Sequence, residues 1–548
     1  MKRILAVLLM VMATLVAGCG ETGDKNRLNV MLSSNVNSLD VAQATDLASF
    51  EIISNCVDGL LQLDADGKAV PAIAESYDVS ADGKTYTFHL RDAKWSNGEP
   101  VTAQDFVFAW RRQCEMAEEY SYMLGSTVAC IKNADQVIKG GNPENLGVSA
   151  PDAKTLVVEL EAPVNFFPEL MSFPVFFPIN EKFYKSLDEG TYGVTAASFL
   201  SNGAFQLVEY LPGSASIILK KNDSYWDADK VSLKQLQYQV VSSSDNALTA
   251  FRNGTLQMIQ LKGTHVNHVK QDSALSKLLT VHEDGSLFYL SYNQDPKNHH
   301  AGALANVNLR RALSKAIDRE SLTENYVMDG AKPDTRAVPL NFARNKNTGA
   351  YFAEDQNKYA EYEAYDVEAA LRYLKLAQEE LGREKFDLQM VYSNDSGDTT
   401  VRVVQAIKSQ VEAALPGVTL ELQPVPKAEY FSKISSNSFD LAVMNWTPDY
   451  DDPMTFLTQW TTDSSKITEH WSNAAYDNLI QECSSGALAG DYDARWAAMN
   501  EAERILLENA VITPLYTGVN AFLTAENVKG IELHSVGVPR VFKYVKIQ

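Results

Sequence analysis

The sequence predicts a mixed α/β protein with two lobes, and three observations support this fold class. Short segments with strand-like composition recur along the chain, and amphipathic helical patterns lie between them. Helical patterns dominate residues 306–508, whereas strand patterns dominate the first half of the chain. No internal repeat, low-complexity segment or long linker separates these regions, so we expect two large lobes in the 548 residues.

Nine segments have the β-branched and aromatic composition of strands, bounded by turn-forming residues. They are residues 28–32, 85–90, 155–160, 216–219, 236–241, 287–292, 387–392, 419–423 and 441–446.

Four helices are predicted from their start signals or apolar faces. Thr102 and Asp105 have the spacing of a capping box in front of an apolar run. Asp366 is the expected N-cap of a helix that stops at Gly382. Two further helices are predicted at residues 308–325 and 493–507.

The first residues have the pattern of an export signal. Met1-Lys2-Arg3 is basic, and the apolar run at residues 4–16 is too short to span a bilayer. Val16-Ala-Gly-Cys19 resembles a bacterial lipobox, so we expect residues 1–18 to be removed and Cys19 to carry lipid. An ordinary secretory signal cut nearby is the alternative. Residues 19–27 are polar and indicate a tether, so the exported protein would face the periplasm or cell exterior, held to the membrane by lipid alone.

Export makes a disulfide chemically possible between the remaining cysteines. Cys114 and Cys130 are separated by sixteen positions, and Gly125 lies between them where the chain can turn back. We therefore expect a Cys114–Cys130 disulfide, with isolated buried thiols as the alternative. The chain has no Cys-x-x-Cys pair, so neither a zinc ribbon nor a redox motif is supported.

The charge balance excludes two classes of partner. The chain has 48 basic and 70 acidic residues, a formal net charge of −22. Nucleic-acid binding and binding to anionic lipid both require basic patches, so this composition argues against both.

Catalytic and metal-binding motifs are absent from the sequence. It contains no nucleophile elbow, phosphate loop, dinucleotide fingerprint or His-Glu-x-x-His. His265 and His268, and the adjacent His299 and His300, have no carboxylate or thiol at a matching spacing. The acidic run from Asp449 departs from a calcium loop, because Pro453 stands where that loop needs a ligand. We expect no enzyme activity, no metal and no cofactor.

Several separated segments resemble the extracytoplasmic solute-binding proteins of the peptide/nickel ABC-importer family, most closely the oligopeptide-binding proteins. They are DGLL at 58–61 with AESY at 74–77, KTYTFHLR at 84–91, AKWSNGEPVTAQDF at 93–106, VNLRRALSKAIDR at 307–319, FDL at 439–441 with NWTPDYDDP at 445–453, and, more weakly, NDSYW at 222–226. Their order is that of the family and spans nearly the whole chain.

The resemblance implies a periplasmic-binding-protein fold, in which a hinge joins two lobes that enclose the ligand. Lobe 1 would comprise three segments, lobe 2 one continuous segment, and a small domain, here called the insert, would interrupt lobe 1. The implied ranges are 28–56, 178–286 and 516–548 for lobe 1, 57–177 for the insert and 287–515 for lobe 2. The protein would be a monomer that carries oligopeptides to the membrane permease of an ABC importer.

The resemblance also implies where the ligand binds. Asn445, Trp446 and Thr447, at the end of the predicted strand 441–446, match the segment that pairs with ligand backbone. Asp449 matches the aspartate that holds the α-ammonium group of a peptide, since an enclosed charge needs a counter-ion. Core packing of Trp446 and a loop-capping role for Asp449 are the structural alternatives.

Further contacts are implied less directly. Leu47, after Thr45-Asp46, matches a second strand that contacts ligand backbone, and Tyr120 or Tyr122 and Tyr516 lie near aromatic positions that line the cleft. Each tyrosine could instead be ordinary core.

The sequence departs from relatives that clamp the peptide C-terminus with basic residues, because Val443 and Ile434 stand at the matching positions. Ligand length is therefore open. Other ligands within this fold (a nickel chelate, haem, an oligosaccharide or a signalling peptide) and a secreted peptidase are the competing functions, and the missing nucleophile motifs weigh against the peptidase.

Overall fold

The computed structural model describes residues 25–297, 302–355, 362–395, 397–462, 464 and 469–548. The expected leader and Cys19 lie outside the described residues, as do His299 and His300.

The described strands are numbered here in chain order. They are β1 (Arg27–Leu32), β2 (Leu61–Leu63), β3 (Ala69–Pro71), β4 (Ala74–Val79), β5 (Thr85–Leu90), β6 (Val148–Asp152), β7 (Thr155–Glu159), β8 (Phe205–Glu209), β9 (Ser216–Lys221), β10 (Gln235–Val240), β11 (Met258–Leu261), β12 (Leu279–Tyr292), β13 (Lys332–Pro333), β14 (Phe386–Ser393), β15 (Val418–Val425), β16 (Leu441–Trp446), β17 (Ile512–Thr524), β18 (Val528–Lys529), β19 (Glu532–Leu533), β20 (Arg540–Val541) and β21 (Lys546–Ile547).

The described α-helices are numbered in the same way. They are α1 (Leu47–Cys56), α2 (Ala103–Met116), α3 (Ala134–Ile138), α4 (Phe167–Leu170), α5 (Glu181–Tyr184), α6 (Ser244–Arg252), α7 (Thr264–Gln271), α8 (Val307–Lys315), α9 (Arg319–Leu322), α10 (Phe352–Asp355), α11 (Val367–Leu381), α12 (Asp398–Ala414), α13 (Lys427–Ser435), α14 (Met454–Leu457), α15 (Ala474–Ser484) and α16 (Tyr492–Glu508).

One eleven-stranded sheet runs through the protein, in the order β15-β14-β16-β12-β17-β11-β1-β10-β9-β8, with β13 also paired to β17. β12 and β17 pair antiparallel along most of their length and contribute to both halves of this sheet. At one end of this pair, β17 lies beside β11. At the other end, β12 lies beside β16 and β17 lies beside β13. These two strands therefore join the lobe 1 half of the sheet to the lobe 2 half.

The register of this strand pair is interrupted between Glu283 and Leu287. Gly285, inside the interruption, has φ +71°, a left-handed conformation that favours glycine. Ser286 donates its backbone N–H to the Asp284 carboxylate at 2.9 Å, which stabilises the bulge. A second, smaller register shift follows between Phe288 and Tyr289, so the connection between the two halves of the sheet is irregular from Glu283 to Tyr289.

The insert has its own four-stranded sheet, in the order β4-β5-β7-β6. The predicted capping box of Thr102 and Asp105 is present at the start of α2. Most apolar residues of α2, including the fully buried Trp110, are buried, which explains the wide apolar face seen in the sequence.

The end of the chain returns to its beginning. Arg540, on β20, forms a buried ion pair with Glu51 of α1 at 2.8 Å and donates to the Met31 carbonyl. Lys543 pairs with Asp58 at 2.8 Å. Segments almost 500 positions apart are therefore held together by buried charges.

The predicted mixed α/β class is confirmed. Eight of the nine predicted strands are present with ends that differ by at most two residues, whereas the strand predicted at 287–292 begins eight residues earlier, at Leu279. The single helix predicted over residues 308–325 is wrong. The chain forms α8, α9 and a π-helical turn at Thr323–Val327 instead. Asp318 caps α9 by accepting the Ser321 N–H, and this local hydrogen bond restarts the helix.

None of the helices in the described part of the chain combines the length and apolar character needed to cross a membrane.

Candidate functional site

The central element of the site is β16, which is paired on one side along its whole length. Trp446 lies opposite Leu287 and Asn445 opposite Phe288 of β12. On the other side only Leu441 and Ala442 pair with β14. Among the described residues, no strand pairs with that edge from Val443 to Trp446, and Asn445 is exposed.

The turn after β16 is organised by the buried hydroxyl of Thr455. This oxygen accepts the Asp449 backbone N–H at 3.2 Å and lies 3.5 Å from the Trp446 indole nitrogen. The Thr447 hydroxyl is 2.9 Å from that of Ser286, in the β12 bulge. The end of β16 is thereby attached both to its own lobe and to the irregular part of β12.

Asp449 meets the insert directly. The Tyr122 hydroxyl donates a hydrogen bond to the Asp449 carboxylate. Tyr120 lies beside it, with the two ring centroids 6.3 Å apart. Burial, followed by the negative charge of Asp449, raises the pKa of both tyrosines, so both hydroxyls remain proton donors.

Tyr120 also packs against Phe50 of α1, with centroids 5.2 Å apart in an edge-to-face arrangement, and against Phe173. Asp449 is therefore placed where lobe 2, the insert and the start of lobe 1 approach one another.

One of the expected ligand contacts, Leu47, lies in a different kind of element from the one that the resemblance implied. Leu47 does not lie in a strand; it is the first residue of α1 and is 47% exposed. Asp46 accepts the Ser49 N–H at 2.9 Å, and this N-cap starts the helix. Tyr516 is buried and stacked on Phe288, with centroids 4.6 Å apart, in the same hydrophobic cluster as Leu515; its contact with a ligand stays a prediction.

The expected Cys114–Cys130 disulfide is not formed, and this prediction is wrong for the structure: both residues are free, buried thiols. The Cys130 thiol donates to the Ser126 carbonyl at 3.1 Å. Burial raises the pKa of both thiols to about 12, which keeps them protonated at neutral pH.

The positions that would clamp a peptide C-terminus hold no charge. Ile434 is buried, and the Val443 carbonyl accepts the Tyr430 hydroxyl at 3.0 Å. Two basic residues in this part of the chain are Arg402, which donates to the Tyr326 carbonyl, and Lys427, whose ammonium lies over Phe431.

A cavity of about 670 Å³ lies next to Asp449, within the size range of small-ligand pockets. Its wall contains residues of the insert, of lobe 2 and of the last segment of lobe 1. Of the eight predicted peptide-binding residues, Asp449 alone is in that wall. Asp449 therefore belongs both to the turn after β16 and to the wall of this cavity.

Sequence reasoning missed several residues that shape this region. Phe166 of the insert stacks on Tyr450 with centroids 4.9 Å apart and planes within 6°. Arg495 makes a buried, two-pronged ion pair with Asp452 at 2.7 and 2.8 Å. The sequence shows Asp452 within the acidic run that begins at Asp449, but it does not show that Arg495, 43 positions away, is its partner.

Histidines contribute no metal site in the described residues. His265 lies 2.9 Å from Asp245, and no group of three or more His, Cys, Asp or Glu side chains there could hold a metal ion.

A family model and individual known proteins that resemble this chain all indicate extracellular solute-binding proteins. Residues 68–467 match the family model described as bacterial extracellular solute-binding proteins, family 5 Middle. The chain is 30% identical to the oligopeptide-binding protein OppA of Bacillus subtilis, covering 98% of both chains. It is also 30% identical to the dipeptide-binding protein DppE of that organism, covering 94% of this chain and 91% of the relative.

The structural comparison agrees. The Listeria monocytogenes OppA bound to peptide superposes with a TM-score of 0.80 and 31% identity, covering 96% of this chain and all of the other. The fold that the sequence resemblance implied, two lobes with an inserted domain, is confirmed.

Proposed function

This chain belongs to family 5 of the bacterial extracellular solute-binding proteins, and we propose that it binds oligopeptides outside the cytoplasm and delivers them to the permease of an ABC importer. The observation that supports this most directly is the unpaired edge of β16, which ends three residues before Asp449. The edge can pair with peptide backbone, and the carboxylate can pair with a terminal amine.

Backbone pairing explains how one site can take many sequences. An extended peptide that adds to a strand edge gains its affinity from main-chain hydrogen bonds. The exposed Asn445 and the partly buried Trp446 lie on that edge. Side chains of a ligand strand paired there would project to alternating sides of the sheet. Water in the surrounding space could adapt to each side chain.

Asp449 is proposed to hold the peptide's α-ammonium group. Its carboxylate already accepts the Tyr122 hydroxyl, and its backbone N–H is held by Thr455. A charge-assisted hydrogen bond to an ammonium group is stronger than one to a neutral hydroxyl. A bound amine would therefore join this network or displace Tyr122 from it.

Closure around the ligand is proposed to take place at the β12 bulge. Between the two halves of the large sheet, the β12–β17 pair loses its regular register at residues 284–286. A bulge of this kind can absorb a change in backbone angle that a continuous ladder would resist. A peptide that contacts both lobes would shift the population towards the closed form, which the permease would recognise.

The remaining parts of the proposal concern location and partners. Export and lipid attachment at Cys19 rest on the sequence pattern of residues 1–27, and a monomeric state rests on the family resemblance. Family membership and the missing nucleophile motifs support binding without catalysis. Asp449 favours an amine-bearing ligand over a haem, an oligosaccharide or a nickel chelate.

Calorimetry with the purified protein tests the peptide assignment. Free-amine peptides of two to six residues should bind, and N-methylation of one paired backbone amide should weaken binding by about 1 kcal/mol or more. Mass spectrometry of whatever co-purifies under native conditions identifies the natural ligand. Failure of every peptide to bind, with a non-peptide ligand retained, would refute the proposal.

A further inference from the structure

A short segment of the insert, residues 163–166, reaches across to lobe 2. The insert itself holds this segment in position. The Tyr86 hydroxyl of β5 donates to the Val164 carbonyl at 3.4 Å, and Phe167, which follows the segment and begins α4, is fully buried. The segment therefore presents a fixed surface to lobe 2.

Phe166 makes the aromatic part of this contact. Its ring stacks on Tyr450 of lobe 2, with centroids 4.9 Å apart and planes within 6°. The Arg495 guanidinium lies 5.7 Å from the centre of the same ring and is fixed there by its two-pronged pair with Asp452. Only 7% of Phe166 is exposed. Aromatic stacking and a cation close to an aromatic face are both favourable when water is excluded, so this ring fastens the insert to lobe 2.

Polar and apolar contacts on either side of Phe166 complete the junction. The Lys346 ammonium donates to the Asn165 carbonyl at 2.6 Å, and the Asn165 side-chain amide donates to the Ala489 carbonyl at 3.4 Å. The Pro163 Cγ atom lies 3.2 Å from the position that a Cβ atom on Gly490 would occupy. The segment thus contacts several separate parts of lobe 2.

The insert is fastened to lobe 1 by stronger interactions than these. Arg112 of α2 makes a buried, two-pronged pair with Asp40 at 2.7 and 2.5 Å, and Asp58 pairs with Lys543 at 2.8 Å. Among the described residues, the ion pairs of the insert lie within it or reach lobe 1, and none reaches lobe 2. Breaking a buried ion pair is costly, so the insert moves with lobe 1, and its contact with lobe 2 is the one that separates when the hinge opens.

The acidic run that begins at Asp449 links this contact to the ligand site. Asp449 is the proposed partner of the peptide's ammonium group, and the next residue, Tyr450, stacks on Phe166. Asp452, at the end of the run, positions Arg495 beside the same ring. A peptide bound at Asp449 and the insert packed on Tyr450 therefore stabilise one and the same turn of lobe 2.

We infer that residues 163–166 form a latch, which closes the insert onto lobe 2 and sets how long a bound peptide is retained. The inference rests on the proposed function, because the latch needs a ligand to retain. The latch acts through lobe 2 and not through the ligand side chains. It therefore slows the release of every peptide by the same factor.

The first test removes the aromatic contact. Phe166→Ala should release peptides about tenfold faster than the native protein, since a ring stack and a cation–π contact are lost together. The factor should be the same for peptides of unrelated sequence. Lys346→Met, a change at an exposed position, should accelerate release by about threefold. Stopped-flow displacement of a fluorescent peptide measures the release rates.

Phe108→Ala is the matched control. Phe108 is a partly buried phenylalanine of the same domain, but its ring packs on Tyr184 of lobe 1, with centroids 5.3 Å apart. This variant should release peptides at a rate within about twofold of the native rate. Thermal melting checks that each variant is folded; if Phe166→Ala is not, Lys346→Met should still accelerate release.

The second test fixes the latch in its closed position. Pro163→Cys with Gly490→Cys places two thiols where the insert and lobe 2 approach most closely, and a disulfide needs such proximity. Diamide oxidises the two thiols to the disulfide and is itself reduced to the hydrazine. A peptide bound before oxidation should then stay bound on dilution, and dithiothreitol should release it. Small-angle X-ray scattering of the ligand-free variant should give a smaller radius of gyration when it is oxidised than when it is reduced.

Unchanged release from folded Phe166→Ala, or faster release confined to peptides of one sequence, would overturn the inference and leave peptide binding standing. So would a cysteine pair that forms no disulfide, or a disulfide that changes neither peptide release nor the radius of gyration. Failure of the native protein to bind any peptide would instead refute the proposed function, and the ligand-free scattering would still decide whether the latch opens and closes.

Discussion

At the scale of single residues, Asp449 shows how a local motif acquires its role. Its backbone is positioned by Thr455, six positions along the chain, and its carboxylate by Tyr122, which lies 327 positions away. The first contact is part of a turn, whereas the second exists only when the insert packs against lobe 2.

Asp449→Asn should weaken free-amine peptides strongly. Removing one partner of a buried charge pair costs about 2–5 kcal/mol, or about 30-fold to several thousand-fold in affinity. N-acetylated peptides should change little, because they have no ammonium group to lose its counter-ion. Calorimetry with matched free and acetylated peptides is the measurement, and equal, small losses for both would move the amine site elsewhere.

The four described cysteines should behave as inert thiols. Burial raises the pKa of Cys56, Cys114 and Cys130 to about 12 and that of Cys483 to about 11, so less than about 1% would be thiolate at pH 8. Native protein should react with iodoacetamide far more slowly than unfolded protein. Peptide mapping without reduction should show no Cys114–Cys130 link; a linked pair would contradict the structure.

At the scale of elements, the bulge in β12 depends on one glycine. A Cβ atom on Gly285 would lie 2.9 Å from both the Pro448 side chain and the Ser535 carbonyl. Pro448 belongs to the turn that carries Asp449, so the bulge and the amine site are in contact.

Gly285→Ala should therefore destabilise the protein by about 1–3 kcal/mol and weaken peptide binding, because strain at φ +71° adds to the steric conflict. Gly213→Ala is a matched control, since Gly213 has φ +75° but nothing within 4 Å of a Cβ atom. Urea unfolding and calorimetry of both variants provide the measurement. Equal effects of the two substitutions would show that backbone angle alone matters.

Asp334, where β13 joins β17, should make stability depend on pH. Its buried carboxylate accepts hydrogen bonds from Thr517, Arg336 and Leu340, yet burial raises its pKa to about 6. The native state therefore holds the proton more tightly than the unfolded chain, and the stabilisation by protonation is lost as pH rises from about 4 to about 6.

The comparison of native protein with Asp334→Asn isolates this contribution. The free energy of unfolding of the native protein, minus that of the variant, should fall by up to about 3 kcal/mol between pH 4 and pH 6. Urea unfolding at several pH values measures the difference. A difference that is constant with pH would show that folding does not shift the pKa of Asp334.

At the scale of the whole molecule, buried ion pairs hold distant segments together. Arg540 and Glu51 are 5% and 3% exposed at the side chain, and burial raises the pKa of Glu51 despite the neighbouring guanidinium. The pair fastens the last segment of lobe 1 to its first.

Arg540→Met should destabilise the protein by about 3–5 kcal/mol, because it leaves the Glu51 charge buried without a partner. Lys132→Met is the contrast: its ion pair with Glu159 is about half exposed on both sides, and its loss should cost about 0–1 kcal/mol. Denaturant unfolding of the two variants is the measurement. Similar small losses would mean that hydrophobic packing, rather than this pair, holds the C-terminal segment.

Much of the fold was predictable because its signals are local. Alternating burial along a strand and capping residues at a helix start act over a few positions, which is why the helix from Asp366 to Gly382 was predicted at its observed ends. The break after α8 was not predicted, because the helical spacing of apolar residues continues through it. The buried Arg319 just after the break donates to the Pro514 carbonyl of β17, and this contact cannot be read from the local sequence.

The sequence by itself determined the mixed α/β class, nine of the described strands, the family, and the placement of Asp449 shortly after a strand, but it did not predict β17, which joins the two halves of the large sheet. Only the tertiary structure decided that Tyr122 reaches Asp449, that Leu47 starts a helix, that Cys114 and Cys130 stay apart, and that Glu169 and His534 share a cavity. The physical reason is distance along the chain. Periodicity reports which side of an element is buried, whereas the convergence of side chains hundreds of positions apart depends on how those buried faces pack.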